Sequence, residues 1–358
     1  MKLSRLTISA VLGALLIGPV TASAAPQVVV SIPPIHNLVS GVMDGVGEPT
    51  LLVPAGASPH SYSMRPSDRR QMQSADVLVW VGPHLETFLE RPIATLPESV
   101  RKVTLLKDAD LTVHSGREGG VWEAHRHDHS SHDGDHGHDH GHEHEHHHHD
   151  NDHGHDDDHA HGHDHHDHAH GDEGHHDHGH SHGHHVDAHI WLSPDNAAAI
   201  VRQVAQVLAD ADPDNAGRYE ENRDRMLSRM EALDEELKSR LDPVSDRPFI
   251  VFHDAYQYFE KHYGLTPAGS ITVDPSRSPG AQRVQALRER IRESDAICVF
   301  TEPQFRPAIV ETLTEGTGAR VGELDPLGAR LPAGEESYYR LLENLADSLV
   351  ECLSPGQS

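Results

Sequence analysis

The chain has 358 residues, with 57 Asp or Glu against 29 Lys or Arg, for a formal net charge of −28 with neutral histidines. That length suits two ordinary domains, and that charge argues against nucleic acid or an anionic membrane surface as a partner. Histidine skews the composition: 29 of the 36 histidines lie between His125 and His185, together with 16 Asp or Glu and one Arg.

Lys2 and Arg5 precede an apolar run, Leu6–Gly18, which is too short to span a bilayer. Ala22–Ala24 follows as a small-residue cleavage site. Residues 1–24 therefore read as a secretory signal, with the mature chain starting near Ala25. No second apolar span follows, so the expectation is a soluble exported protein, most simply in a Gram-negative periplasm.

From Gln27 the pattern is strand, then helix. Val28–Ile32 is a continuous apolar run, as expected for a strand buried on both faces. A helical pattern follows it. Thr50–Val53 is the next strand, then a loop, "PAGASPHSYSMRPSD", leads to a helix with Pro66 in its early turn. Asp76–Gly82 is another strand. Strands alternating with helices imply a parallel sheet covered on both faces, here an N-terminal α/β lobe over residues 25–115.

The pattern stops near His114. Residues 116–185 hold little beyond His, Asp, Gly and Glu and cannot bury enough apolar surface to offset the entropy of ordering them. A disordered insertion is expected there. Within it, His142, Glu143 and His146 match the H-E-x-x-H pattern of zinc proteases, as do His144, Glu145 and His148. A metallopeptidase needs those histidines one turn apart on a stable helix. Frequent glycines and the lack of an apolar face argue that composition alone produces the matches, while loose metal binding by the tract is expected.

Order resumes at "VDAHIWLSP", and residues 186–212 complete the first lobe. Asp212 and Pro213 read as the N-cap and first position of a long helix over residues 213–241. Met226, Met230, Leu233, Leu237 and Leu241 form an apolar stripe along it. A second strand–helix series, from Phe249–Asp254 onward, makes a C-terminal α/β lobe over residues 242–358. The expected fold is two parallel-sheet lobes joined by one long rigid helix, with a ligand between them, beyond the carboxyl ends of the strands. Cys298 and Cys352 are the two cysteines. An even count in an exported chain suggests one disulfide, able to fasten the last helix to the sheet; two buried free thiols are the alternative.

Seven histidines lie outside the tract. His60, His189 and His253 sit at loops or strand ends that could face a cleft. His36, His84 and His262 lie in or beside helices, where a solvated histidine is the default, and His114 begins the tract.

"GASPHSYSMRPSD", "DAHIWLSPDNA", "FHDAYQYFEKHYGLTP", "PGAQR", "CVFTEPQFRP" and "ELDPLG" occur in this order. Together they resemble the zinc-binding periplasmic components of bacterial zinc-uptake ABC transporters, over nearly the whole mature chain. The resemblance implies one Zn2+ bound between two α/β lobes and delivered to a membrane permease by a monomeric carrier that is not an enzyme. It also implies metal ligation by His60, His189 and His253. The aspartate that completes the site in manganese-preferring relatives matches Asp325. Pro59 stands where some members carry Glu, and Ser270 where some carry a histidine that helps hold an auxiliary zinc. Three nitrogen donors favour zinc over manganese, which prefers oxygen. The alternatives are a periplasmic zinc store or metallochaperone, a manganese-uptake binding protein, and a zinc hydrolase using Glu302 or Asp254 as general base.

Overall fold

Two sheets form around short runs of β-branched and aromatic residues, VVV, VLVW, FIVFH and CVFT. In the first half of the chain the strands are β1 (Val28–Val30), β2 (Thr50–Leu51), β3 (Val77–Trp80) and β4 (Arg101–Thr104), all parallel, in the order β2-β1-β3-β4. Helices α1 (Pro33–Val42), α2 (Pro66–Gln73), α3 (Glu90–Ala94) and α4 (Leu105–Asp108) connect or follow them. The computed structural model describes residues 24–117, 186–272, 280–305 and 308–355. The expected signal segment up to residue 23, and the His-rich tract with its protease-like matches, lie outside the described residues.

Side chains on a strand alternate between the two faces of the sheet, and the core follows that rule. Val28, Val30, Val77 and Val79 join one large cluster. Val29, Leu78 and Trp80 face the other way and pack with Met72, Leu89 and Leu96. Burial on both faces explains why these strands read as unbroken apolar runs.

Helices α5 (Pro194–Ala211) and α6 (Ala216–Leu241) follow the insertion. Ser193 caps α5 by accepting from the Asn196 amide at 3.2 Å. The long helix was expected from Pro213; Pro213–Asn215 instead forms one 3-10 turn, and the α-helix starts at Ala216. Asp212 does not cap it through a backbone N–H; its Oδ2 accepts from Asn215 Nδ2 and Tyr219 Oη. The Met226-to-Leu241 stripe is buried throughout, packing the helix against the large cluster.

The second sheet comprises β5 (Phe249–His253), β6 (Pro267–Thr272), β7 (Cys298–Thr301) and β8 (Arg320–Glu323), parallel and ordered β6-β5-β7-β8. Its helices are α7 (Gln257–His262), α8 (Ala281–Glu293), α9 (Ala308–Thr314) and α10 (Glu336–Leu353). Phe249 and Val251 face the large cluster, while Ile250 and Phe252 pack outward with Leu287, Ile291 and Val310. The large cluster thus draws on both sheets and on α1, α5, α6 and α10. The molecule is two parallel-sheet α/β lobes with a long helix, and both lobes share one core.

Cys298 on β7 is bonded to Cys352 on α10, with Cα atoms 6.1 Å apart. The bridge fastens the last helix to the second sheet, as the cysteine count suggested. It closes a loop with a sequence separation of 54 residues. In the chain-entropy account such a loop is worth roughly 4 kcal/mol. Replacing both cysteines by serine is expected to lower the melting temperature in calorimetry by an amount matching that figure. An unchanged melting temperature would show that the crosslink does not constrain the unfolded chain.

Candidate metal centre

Three imidazoles meet where the two lobes face each other. His60 lies in the loop between β2 and α2, which is shaped by turns from Pro54 to Ala57 and from Ser58 to Ser61. Its far end is pinned by Asp68, whose Oδ2 accepts from the Arg65 amide and the Tyr62 hydroxyl, each at 2.8 Å. His189 precedes the 3-10 turn Ile190–Leu192 that leads into α5. His253 is the last residue of β5, beside β7, where the connections of the second sheet leave in opposite directions. Parallel α/β sheets bind ligands at that switch point.

The three rings lie 5.2–5.7 Å apart between centroids, and one ring nitrogen from each falls within 4.8 Å of the others. Among the described residues this is the group of His, Cys, Asp and Glu side chains able to hold a metal ion. Pro59, Trp191, Phe305 and Leu327 wall the surrounding pocket. His189 and His253 are buried, and His60 is half-buried at the edge.

Carboxylates fix the orientation of two of the rings. Asp187 Oδ1 lies 2.8 Å from His189 Nδ1 and accepts the His189 backbone N–H at 3.0 Å. Glu302, just past β7, has Oε1 2.6 Å from His253 Nδ1 and accepts the His253 backbone N–H at 3.3 Å. A carboxylate against Nδ1 selects the tautomer with its proton there. The two Nε2 atoms, 3.4 Å apart, then turn lone pairs toward each other, which favours a cation between them.

Burial and nearby groups shift two of the rings in opposite directions. Burial pulls the His60 imidazole well below 6.5, and the nearby His189 and His253 rings push it in the same direction. Burial also pulls His253 down, but the charge and hydrogen bond of Glu302 outweigh it and hold that ring above 6.5.

Asp325 is not in this group. Its Oδ1 accepts from Gln304 Nε2 and from the amides of Leu327 and Gly328 at 3.0–3.1 Å, and its Oδ2 from the Ala329 amide at 2.6 Å. The carboxylate organises the loop after β8. The loop receives the first lobe: Trp191 Nε1 donates to the Pro326 carbonyl at 2.7 Å, while the Trp191 ring stands edge-on to His189.

The remaining sequence candidates fall elsewhere. His36 and His262 are not solvated. His36 Nε2 is 3.0 Å from the Pro49 carbonyl, and His262 Nε2 is 2.7 Å from Asp234. Ser270 is fully buried in β6. Arg117, assigned to the insertion from sequence, pairs with Asp254 and with Glu260, while Ser115 bridges to Val186. Sequence reasoning missed Asp187 and Glu302 as supports for the histidines; the two-residue spacing of Asp187 and His189 was the available signal.

The family model described as "Zinc-uptake complex component A periplasmic" matches residues 28–352. The high-affinity zinc uptake system protein ZnuA of Brucella suis is 49% identical over 327 residues, covering 91% of each chain. Its namesake in Yersinia pestis is 34% identical over 340 residues, covering 92% of each. Among solved structures, the periplasmic zinc binding protein TroA of Treponema pallidum superposes with a TM-score of 0.68 at 19% identity, covering 92% of this chain and all of that one.

Proposed function

The chain belongs to the zinc-uptake complex component A family, and from that premise we propose that it captures Zn2+ on His60, His189 and His253. It is the periplasmic zinc-binding component of a zinc-uptake ABC transporter. The observation that carries the ligand assignment is the meeting of three imidazole nitrogens within 4.8 Å, two from the first lobe and one from the second. Neutral imidazoles bind zinc at about 2.0–2.1 Å in tetrahedral geometry, leaving the fourth position to water or another oxygen donor.

Such a site suits capture followed by release. The ion ties the lobes together, and moving the second lobe away withdraws His253 and leaves two donors. Export through the N-terminal signal, hand-over to a membrane permease and action as a monomer complete this reading. No helix among the described residues is long and apolar enough to cross a membrane. A hydrolase would require a general base beside the metal. Glu302 is engaged by His253 and Asp254 by Arg117, so the site is read as a carrier and not as an enzyme.

Calorimetric zinc titration tests the proposal: one tight site is expected, lost in His189→Ala. Tight binding that survives this substitution would refute the assignment. Asp325→Asn gives a second outcome. An amide places N–H groups against the backbone amides that Asp325 now receives, which should cost about 1–3 kcal/mol of stability. Zinc affinity is expected to change far less than in the histidine variants; an equal loss would make Asp325 a ligand.

A further inference from the structure

The two lobes present the metal with the same device. In each, one carboxylate accepts both the backbone N–H and the ring Nδ1 of a single histidine: Asp187 with His189, and Glu302 with His253. All four residues are buried. In each carboxylate the second oxygen is buried with no hydrogen-bond partner among the described residues, Oδ2 of Asp187 and Oε2 of Glu302. A buried, unpartnered carboxylate oxygen is costly unless positive charge lies nearby.

The surrounding charges do not fill that need. Asp254, next in the chain to His253, is paired with Arg117, which also reaches Glu260. Asp325 accepts from Gln304 and from three backbone amides of its own loop. Two carboxylates thus stand just behind three imidazoles that must be unprotonated to hold a metal. A dication at the three nitrogens makes the whole assembly neutral, whereas a monocation leaves a net negative charge in a buried site.

We propose that Asp187 and Glu302 are specificity-determining positioning residues, a matched pair of counter-charges that tunes the three-histidine site to divalent over monovalent ions. This rests on the ligand reading above and adds what sets the selectivity. Imidazole nitrogens alone do not exclude soft monovalent ions. Orientation and charge are separable here, because an amide oxygen at either position can still accept the Nδ1–H while carrying no charge.

The test compares Zn2+ with Ag+ in the full chain, by competition against chelators strong enough to leave weaker sites empty. The variants are Asp187→Asn, Glu302→Gln and the double substitution. Each single change is expected to lower zinc affinity about 10–100-fold, the usual range for residues behind metal ligands. Silver affinity should fall much less, so the zinc-to-silver ratio drops with each charge removed and furthest in the double variant. Should either amide variant fold poorly, Asp187→Glu and Glu302→Asp keep the charge, and are expected to retain most of the ratio even if both affinities fall. A parallel fall for both ions in the amide variants, or no fall, overturns the counter-charge role. Failure of the ligand reading looks different: wild-type zinc binding would then be insensitive to His189→Ala.

Discussion

His60→Ala is expected to lower zinc affinity more than hundredfold while leaving the metal-free fold intact. The size follows from the donor set. Removing one of three nitrogens takes away a direct bond, and so should exceed the roughly 10–100-fold typical of a supporting residue. The fold should survive because His60 sits half-buried on a loop whose turns are closed by backbone bonds and whose anchor is Asp68, not the imidazole. His253→Ala should lose at least as much affinity but is a less clean experiment. It also strips Glu302 Oε1 of the ring N–H and leaves it only the longer backbone N–H bond, so the loss of a buried hydrogen bond adds to the loss of a ligand. His262→Ala is the control: its ring bridges Asp234 and Asp195 outside the centre, and tight zinc binding is expected to remain. Competition against a fluorescent chelator measures all three. Equal affinities for the His60 and His262 variants would dismantle the site.

What could be read from the sequence depended on how local the signal was. Strands buried on both faces announce themselves as apolar runs, so β1, β3 and β5 were legible within a few residues. β4 was not. In Arg101–Thr104 only Val103 is buried, and the two basic residues at its start are exposed at the sheet edge. The stripe on α6 marked its buried face correctly, but the first turn tightened into a 3-10 turn because Asp212 spends its carboxylate on Asn215 and Tyr219. The three histidines were visible as strand-end and loop residues, and the resemblance singled them out. Their supports were hidden for a geometric reason. Glu302 reaches His253 only because β5 and β7 are neighbours in space, which no spacing in the chain reports. Asp325 shows another limit: its motif was legible, but that its oxygens accept from Gln304 and from the amides of its own loop was not.

Saturating zinc is expected to raise the melting temperature strongly near pH 8 and progressively less as the pH falls. An ion that binds only the folded state stabilises it by about 4 kcal/mol at a thousandfold excess over Kd. At roughly 2–4 °C per kcal/mol for a domain of this scale, that is a rise on the order of 10 °C. The pH dependence follows from the protons that zinc must displace. His253 is held above 6.5 by Glu302, so in the metal-free protein it is the first of the shifted ligands to take up a proton on acidification. Its raised value adds stability to the metal-free fold below the unfolded value near 6.5 and withdraws it as the pH rises through the folded value. Zinc binding forfeits that contribution, so the zinc-induced shift should begin to shrink above pH 6.5, with close to one proton displaced per ion. His60 works the other way: its value lies well below 6.5, so the folded form resists protonation and offers little competition until the solution is much more acidic. Scanning calorimetry with and without zinc from pH 8 to pH 5 tests both halves. A zinc-induced shift that stays constant over that range would mean that the ion does not compete with a proton on His253, and the site would have to lie elsewhere.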